Sequence, residues 1–144
     1  MKAILTGLAA LICVAPWIAA AQNDRQATSG GAFEEVQVNA GKAVYDSQCA
    51  SCHGETLSGI DAAKPLSGTQ FLANWSGHTI AALGTRIRST MPLTNPGSLD
   101  LSDTAALIAY ILSYNGISAG LGPLPSRLAD QQRLVISEPV KPTP

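Results

Sequence analysis

The sequence predicts an all-α fold, and three observations support this class. Residues 103–114 carry the strongest helical pattern, because apolar side chains recur there at the i, i+3, i+4, i+7 spacing of one buried face. Residues 79–89 show the same type of periodicity, and a good N-cap residue, Asn39, precedes the polar and apolar residues 40–48. A further apolar stretch over residues 69–75 is suited to a short helix. We therefore expect a small domain with four helical segments.

The first 21 residues are typical of a secretory signal peptide. Lys2 precedes an apolar run from Ala3 to Val14, and three alanines that end at Ala21 form a small-residue cleavage site. The apolar run is too short to span a membrane comfortably. We expect cleavage after Ala21, a periplasmic protein and no stable membrane anchor. Cys13 lies within this segment and is expected to be removed with it.

Composition limits both the partners and the metal chemistry of the chain. The formal net charge is −1 at pH 7, and the basic residues are scattered, so neither nucleic acid nor an anionic membrane is an expected partner. After removal of the signal, few side chains that bind transition metals remain, namely Cys49, Cys52, His53, His78 and Met91. The chain is expected to divide into a signal peptide (1–21), a flexible lead-in (22–37), a compact domain (38–117) and a Pro-rich C-terminal tail (118–144).

The first predicted helix leads directly into a pair of cysteines followed by a histidine. Cys49 and Cys52 are three positions apart, with His53 directly after the second, which is the pattern of a c-type haem attachment site. Positions three apart share a helix face, so both thiols can add to the vinyl groups along one haem edge while His53 supplies an axial nitrogen. A structural zinc site would need about four protein ligands, and beyond this stretch the mature chain offers only His78. A plain disulfide between Cys49 and Cys52 is the alternative.

Two residues between the histidine and the next helix are candidates for supporting the cofactor. An axial histidine usually donates its second ring N–H to a carbonyl or carboxylate, and the Pro65 carbonyl is the candidate acceptor. Pro65 is otherwise an ordinary loop proline. Trp75, at the end of the short helix, can donate its indole N–H to a haem propionate or can pack as part of the pocket wall.

Met91 is the candidate for the second axial ligand of the iron. Pro92 disfavours the helical region at the preceding residue and biases Met91 towards an extended conformation, from which its thioether can enter a pocket. The alternative is a core methionine, although the mature chain has no other methionine. His78 is the rival ligand, but it directly precedes the helix that Thr79 caps, and we expect it to face solvent.

The last predicted helix runs from Asp103 to about Ser113 and has clear boundaries. Ser102 is the expected N-cap, Asp103 lies favourably in the first turn, and Asn115 with the following glycine ends the helix. Gly41, in the first helix, costs roughly 1 kcal/mol relative to alanine, which indicates that another part of the molecule approaches closely there.

With these motifs, residues 38–117 resemble a class I cytochrome c. The resemblance is carried by Gly41 and Tyr45, by the run from Cys49 to Gly54, by Thr90-Met91-Pro92, and by Leu101-Ser102-Asp103 opening a helix that contains Tyr110. It implies a cytochrome c fold in which the N- and C-terminal helices cross around one covalently bound haem. It also implies that Gly41 lies close to Tyr110. Within the family, residues 71–77 and 90–92 are similar to cytochrome subunits that accompany periplasmic quinoprotein alcohol dehydrogenases.

This resemblance and the ligand pair predict an electron carrier and not an enzyme. With His53 and Met91 both bound to iron, no coordination position remains for a substrate, and methionine ligation raises the reduction potential. We expect single-electron transfer, in a respiratory chain, between a dehydrogenase and an oxidase or other acceptor through a small transient interface. The alternatives are a haem subunit of a dehydrogenase complex and, if Met91 does not bind iron, a gas-binding or sensor cytochrome.

Overall fold

The computed structural model describes residues 26–27, 31–120 and 122–139, and the predicted signal peptide lies outside these ranges. The described part is mostly helical, with two very short strands. In chain order the elements are β1 (Gln26–Ala27), α1 (Glu35–Gln48), α2 (Ala50–His53), α3 (Gly68–Trp75), α4 (Ile80–Thr90), α5 (Leu101–Tyr114), α6 (Leu128–Gln131) and β2 (Leu134–Val135). The all-α class predicted from the sequence is confirmed, and none of the helices in these ranges has the length and apolar character needed to cross a membrane.

Helices α1 and α5 pack against each other at Gly41. A methyl group built at Gly41 would overlap the Ala106 carbonyl group and would lie 2.9 Å from the Tyr110 Cβ. The predicted proximity of Gly41 and Tyr110 is therefore confirmed. The Tyr45 and Tyr110 rings continue this contact one turn further along, with centroids 5.3 Å apart. Because Gly41 has no side chain, the two helix backbones can touch there. This packing offsets the low helix propensity of glycine.

The hydrophobic core lies between α5 and the elements around it. Nine consecutive residues of α5, from Thr104 to Leu112, are buried, so this helix is covered on all sides and not only along one apolar stripe. Tyr45, Phe71 and Ile80 bring one fully or almost fully buried side chain each from α1, α3 and α4. The core is therefore assembled from helices that are distant in the sequence.

Two helix starts differ from the sequence-based prediction. Helix α1 begins at Glu35, four residues before the predicted cap at Asn39. The Gln37 side chain exchanges two hydrogen bonds with the Leu124 backbone, at 2.9 and 2.8 Å, and this long-range contact holds the extra turn. Helix α5 is capped by Asp100, whose carboxylate accepts a hydrogen bond from the Asp103 amide at 2.7 Å. This hydrogen bond lowers the pKa of Asp100. Ser102, the predicted cap, lies inside the first turn.

The segment predicted as an extended tail packs onto the helical body over residues 122–139. Leu124 and Ile136 are buried in the core, and Ile136 exchanges backbone hydrogen bonds with Gly77 and His78. Strand β2 pairs in parallel with β1, which belongs to the predicted lead-in. This packing could not be predicted from the sequence, because the apolar residues scattered between the prolines show no helical periodicity.

Helix α6, which follows in the same C-terminal segment, packs on α4 at a second glycine. A methyl group built at Gly84 would lie 2.9 Å from Leu128 and 3.3 Å from the Gln131 amide oxygen. Gln131 is fully buried. The C-terminal segment therefore supports the helix that leads to Met91.

Replacement of Gly41 by alanine is expected to destabilise the protein by roughly 2–4 kcal/mol, because the new methyl group overlaps backbone that cannot move without separating two helices. Chemical denaturation followed by far-UV circular dichroism measures this change. Gly122→Ala is the matched control, since a methyl group there meets nothing within 4 Å. Equal stability of Gly41→Ala and the wild type would contradict the close helix contact.

Candidate haem attachment site

The two cysteine thiols lie at the start and near the end of the short helix α2. Cys49 is the N-cap of this helix and is half-buried, whereas Cys52 is exposed, and both thiols are free. The disulfide alternative is therefore not what the structure shows. Burial, with a smaller contribution from the charge of Cys52, raises the pKa of the Cys49 thiol to about 11. Cys49 is thus neutral at physiological pH.

His53 ends α2, and its ring is held by one hydrogen bond. The Nδ1 atom donates to the Lys64 carbonyl at 2.9 Å, which leaves Nε2 as the nitrogen available to a metal. The predicted acceptor, the Pro65 carbonyl, was wrong by one residue. The Lys64 carbonyl belongs to the peptide bond that contains the Pro65 nitrogen, so the sequence identified the correct peptide region but not the group that faces the imidazole.

Tyr45 fixes the end of the attachment helix to α1. Its ring is fully buried, and its hydroxyl donates to the Gly54 carbonyl at 2.6 Å. Burial is the main cause that raises the pKa of Tyr45 far above its ordinary value, so the hydroxyl keeps its proton and remains a donor. Gly54 follows His53 directly, and this bond therefore restricts the position of His53.

Asn115 is a positioning residue that sequence reasoning missed. Its side-chain amide donates to the Leu66 carbonyl at 2.9 Å and accepts from the Gly68 amide at 2.9 Å. These bonds tie the end of α5 to the loop that carries Lys64. An asparagine followed by glycine predicts only the end of a helix, and nothing in the local sequence distinguishes an exposed asparagine from a buried one.

Met91 lies at the C-terminal end of α4 in the predicted conformation. Its backbone is extended, with φ −131° and ψ 153°, and its amide donates to the Ile87 carbonyl at 2.7 Å. The side chain is half-buried and packs against the same core as Cys49 and Trp75. Met91 is therefore at the boundary of the core. Ligation of iron by Met91 itself stays a prediction.

Trp75 and His78 are in contact at the end of α3. Their ring centroids are 5.8 Å apart in an edge-on arrangement. Trp75 is half-buried against the core, and His78 is exposed as predicted. A bond from Trp75 to a propionate stays a prediction, like the alternative of wall packing.

Two buried polar atoms near these residues have no hydrogen-bond partner in the described part of the chain, namely Ser76 Oγ and Arg88 Nε. Ser76 follows Trp75, and Arg88 is three residues before Met91. Leaving a buried donor unsatisfied costs roughly 1–3 kcal/mol, and a haem would supply two carboxylates that can accept hydrogen bonds from such donors. The free thiols, the oriented His53 imidazole and these unpaired atoms fit a haem c. Cys49 and Cys52 would hold it covalently, and His53 would bind its iron.

This arrangement on an all-helical body defines a c-type cytochrome, a class of proteins that transfers electrons through covalently bound haem. The family described as cytochrome c oxidase, cbb3-type, subunit III matches residues 36–111, which is more than half of the chain. The chain belongs to this cytochrome c family.

The chain is also similar to two dehydrogenases of sulfur compounds. Thiosulfate dehydrogenase from Stutzerimonas stutzeri (strain A1501) is 31% identical over 119 residues, which cover 73% of this chain and 38% of that protein. The crystal structure of the sulfane dehydrogenase SoxCD from Paracoccus pantotrophus matches with a TM-score of 0.51 and 26% identity, over 78% of this chain and 59% of the compared chain. The chain spans less than two thirds of the length of either relative.

Replacement of Tyr45 by phenylalanine is expected to lower the free energy of unfolding by roughly 0.5–1.5 kcal/mol at pH 7, because the Gly54 carbonyl loses its donor. Above a pH of about 10, unfolded tyrosine loses its proton while native Tyr45 keeps it, so wild-type stability falls as pH rises, by up to about 1.4 kcal/mol per pH unit. The Tyr45→Phe variant should show a smaller alkaline loss.

Denaturant titrations of the holoprotein at a series of pH values measure both effects. Tyr114→Phe is the control, since Tyr114 lies at the exposed end of α5. An unchanged alkaline slope in Tyr45→Phe would show that this tyrosine does not carry the pH dependence.

Proposed function

We propose that this chain is a periplasmic monohaem cytochrome c that accepts electrons from a dehydrogenase acting on a sulfur compound. The observation that carries the electron-transfer role is the attachment helix α2, in which both thiols are free and the His53 imidazole is already oriented by Lys64. The proposal includes the cytochrome c fold, with crossing N- and C-terminal helices and one haem attached at Cys49 and Cys52. When bound, that haem supplies a one-electron couple.

Met91 is proposed as the second axial ligand. Its extended backbone at the end of α4 and its half-buried position at the core boundary support this role. A histidine and methionine pair leaves no open position for a substrate and raises the reduction potential. The chain then acts by outer-sphere electron transfer and is not itself the site of substrate oxidation. Trp75 is proposed to donate a hydrogen bond to a haem propionate. The unpaired hydroxyl of the next residue, Ser76, supports this part of the proposal.

The nature of the electron donor is inferred from the relatives. Both are named as dehydrogenases, one of thiosulfate and one of sulfane sulfur, and each is longer than the region it shares with this chain. This favours the role of a haem subunit or dedicated acceptor beside a dehydrogenase. The similarity to cytochromes of quinoprotein alcohol dehydrogenases has no counterpart among these relatives. Periplasmic localisation rests on the N-terminal segment, which has the charge, apolar run and small residues of an export signal.

The ferric holoprotein is expected to show the weak red absorption band of methionine-ligated haem c, and Met91→Ala should lose it. Because the substitution opens the sixth position, the reduced variant should bind carbon monoxide, whereas the reduced wild type should not. Thr94→Ala, in the exposed part of the same loop, is the control. A wild-type protein that lacks the band and binds carbon monoxide would overturn Met91 ligation and favour the gas-binding alternative.

Thiosulfate is expected to reduce added ferric protein in a periplasmic extract of the source organism, followed by the reduced α band of the haem. The physical basis is that a dehydrogenase in the extract must pass its electrons to an acceptor. Ethanol serves as the comparison substrate. Reduction by ethanol and not by thiosulfate would contradict the sulfur-compound donor and would support the alcohol dehydrogenase association instead.

A further inference from the structure

The C-terminal segment holds helix α4 at its beginning. The Ile136 amide donates to the His78 carbonyl at 2.9 Å, and the Ile136 carbonyl accepts from the Gly77 amide at 2.8 Å. Val135 forms an antiparallel bridge with Thr79, which is the N-cap of α4. The Ile136 side chain is fully buried in the core. The start of α4 is therefore fixed by a part of the chain that follows it by more than fifty residues.

The same segment contacts α4 again at Gly84, where three helices meet. A methyl group built at Gly84 would lie 2.9 Å from Leu128 and 3.3 Å from the Gln131 amide oxygen, both in α6, and 3.4 Å from Ile108 in α5. Gln131 is fully buried, and its side-chain nitrogen donates to the Pro125 carbonyl. Helix α6 thus fills the space beside Gly84, and α4 is enclosed between α5 and the C-terminal segment.

The position of α4 at Gly84 is transmitted to Met91 by the helix backbone. Met91 follows Gly84 by seven positions, which is about two turns and roughly 10 Å along the axis. The Met91 amide still donates to the Ile87 carbonyl at 2.7 Å, so its backbone belongs to the hydrogen-bonded ladder of α4. A shift of α4 at its contacts with the C-terminal segment would therefore move Met91 as well.

The C-terminal segment is itself anchored outside α4. The Gln37 side chain in α1 exchanges two hydrogen bonds with the Leu124 backbone, at 2.9 and 2.8 Å. Leu124 is buried in the core, with 2% of its surface exposed. The segment is thus attached to α1 at one end and to the backbone before α4 at the other, and it packs on α4 between these two points.

We propose that residues 122–139, named here the C-terminal brace, set how tightly Met91 binds the haem iron, with Leu128 and Ile136 as positioning residues. This inference rests on the proposed ligation of iron by Met91. It assigns a role to a part of the chain that lies outside residues 36–111, the region matched by the cytochrome c family.

The physical reason is the weakness of a thioether as a ligand. A methionine sulfur is uncharged and a weak electron-pair donor, so its binding depends on how well the protein holds it in place beforehand. By linkage, contacts that favour the position of α4 needed for ligation also strengthen the iron–sulfur bond. The brace contributes to that bond to the extent that loss of the ligand displaces α4.

Imidazole is the probe, because it competes with Met91 for the sixth position of the ferric haem. Its apparent affinity rises when Met91 binds less tightly. Leu128→Ala and Ile136→Ala are each expected to bind imidazole about tenfold more tightly than the wild type, which corresponds to about 1.4 kcal/mol. Ile136→Val, which removes one methyl group, should differ from the wild type by less than about threefold. Titration of the ferric holoprotein, followed by loss of the weak red band, measures these affinities.

Val38→Ala is the matched control for a general loss of stability. Val38 packs against the core from α1 and lies three positions before Gly41, on the helix face that meets α5. Its imidazole affinity should stay within about twofold of the wild type, although denaturant titration of the same samples should show lower stability. If the brace variants bind imidazole no more tightly than Val38→Ala at equal loss of stability, the brace has only a structural role and the inference is wrong. Leu128 is half-buried, so its variant tests the inference if Ile136→Ala does not fold.

Coupling between two sites is reciprocal, which gives a second measurement that does not use an added ligand. In the Met91→Ala holoprotein, hydrogen exchange of the Ile136 amide should be faster than in the wild type by about the same factor of ten. The Leu107 amide, in the buried middle of α5, reports global unfolding and serves as the reference. An Ile136 amide whose exchange relative to Leu107 is unchanged would contradict the coupling.

The imidazole affinity of Met91→Ala separates this inference from the proposed function, because it is the affinity of an open sixth position. A wild type that binds imidazole as tightly as Met91→Ala would overturn ligation by Met91. A wild type that binds imidazole more weakly than Met91→Ala, with brace variants equal to the wild type, would overturn only the role of the C-terminal brace.

Discussion

The contact between α1 and α5 at Gly41 is the constraint on which the rest of the structure depends. Any side chain at this position would overlap the Ala106 carbonyl group, so the closeness of the two helices requires glycine. Helix α1 then continues into the attachment helix. One turn after Gly41, Tyr45 packs on Tyr110 and holds the Gly54 carbonyl. The helix contact therefore restricts, through the buried Tyr45, the position of Gly54 and of the preceding His53.

The second half of the site is supported by a different set of contacts. Helix α4, which ends at Met91, is packed on its outer side by the C-terminal segment at Gly84. The same segment pairs with the backbone before α4 through Ile136. Asn115 joins α5 to the loop that carries Lys64. His53 and Met91 are thus held by separate scaffolds, and α5 is the element that connects them.

The electrostatics of the molecule suit transient electron transfer. The chain has a formal net charge of −1, and its basic residues are scattered along the sequence. The half-buried Cys49 thiol and the buried Tyr45 hydroxyl both favour their neutral forms. Small interfaces are typical of redox encounters.

Local sequence signals determined helices α3, α4 and α5, most of α1, and the attachment motif. The spacing of Cys49, Cys52 and His53, the Thr79 cap and the effect of Pro92 on Met91 all act within a few residues. Each of these signals can be recognised without knowledge of the fold. The Thr79 cap, the extended Met91 backbone and the need for glycine at position 41 are present in the structure as predicted.

Only the tertiary structure decided the features that depend on distant parts of the chain. The start of α1 at Glu35 depends on Leu124, and the burial of Ile136 depends on the backbone before α4. The acceptor for His53 is Lys64 and not Pro65, because loop geometry selects which carbonyl faces the ring. Residues in loops and between prolines lack a period, so their partners are set by packing across the fold and not by their neighbours in the sequence.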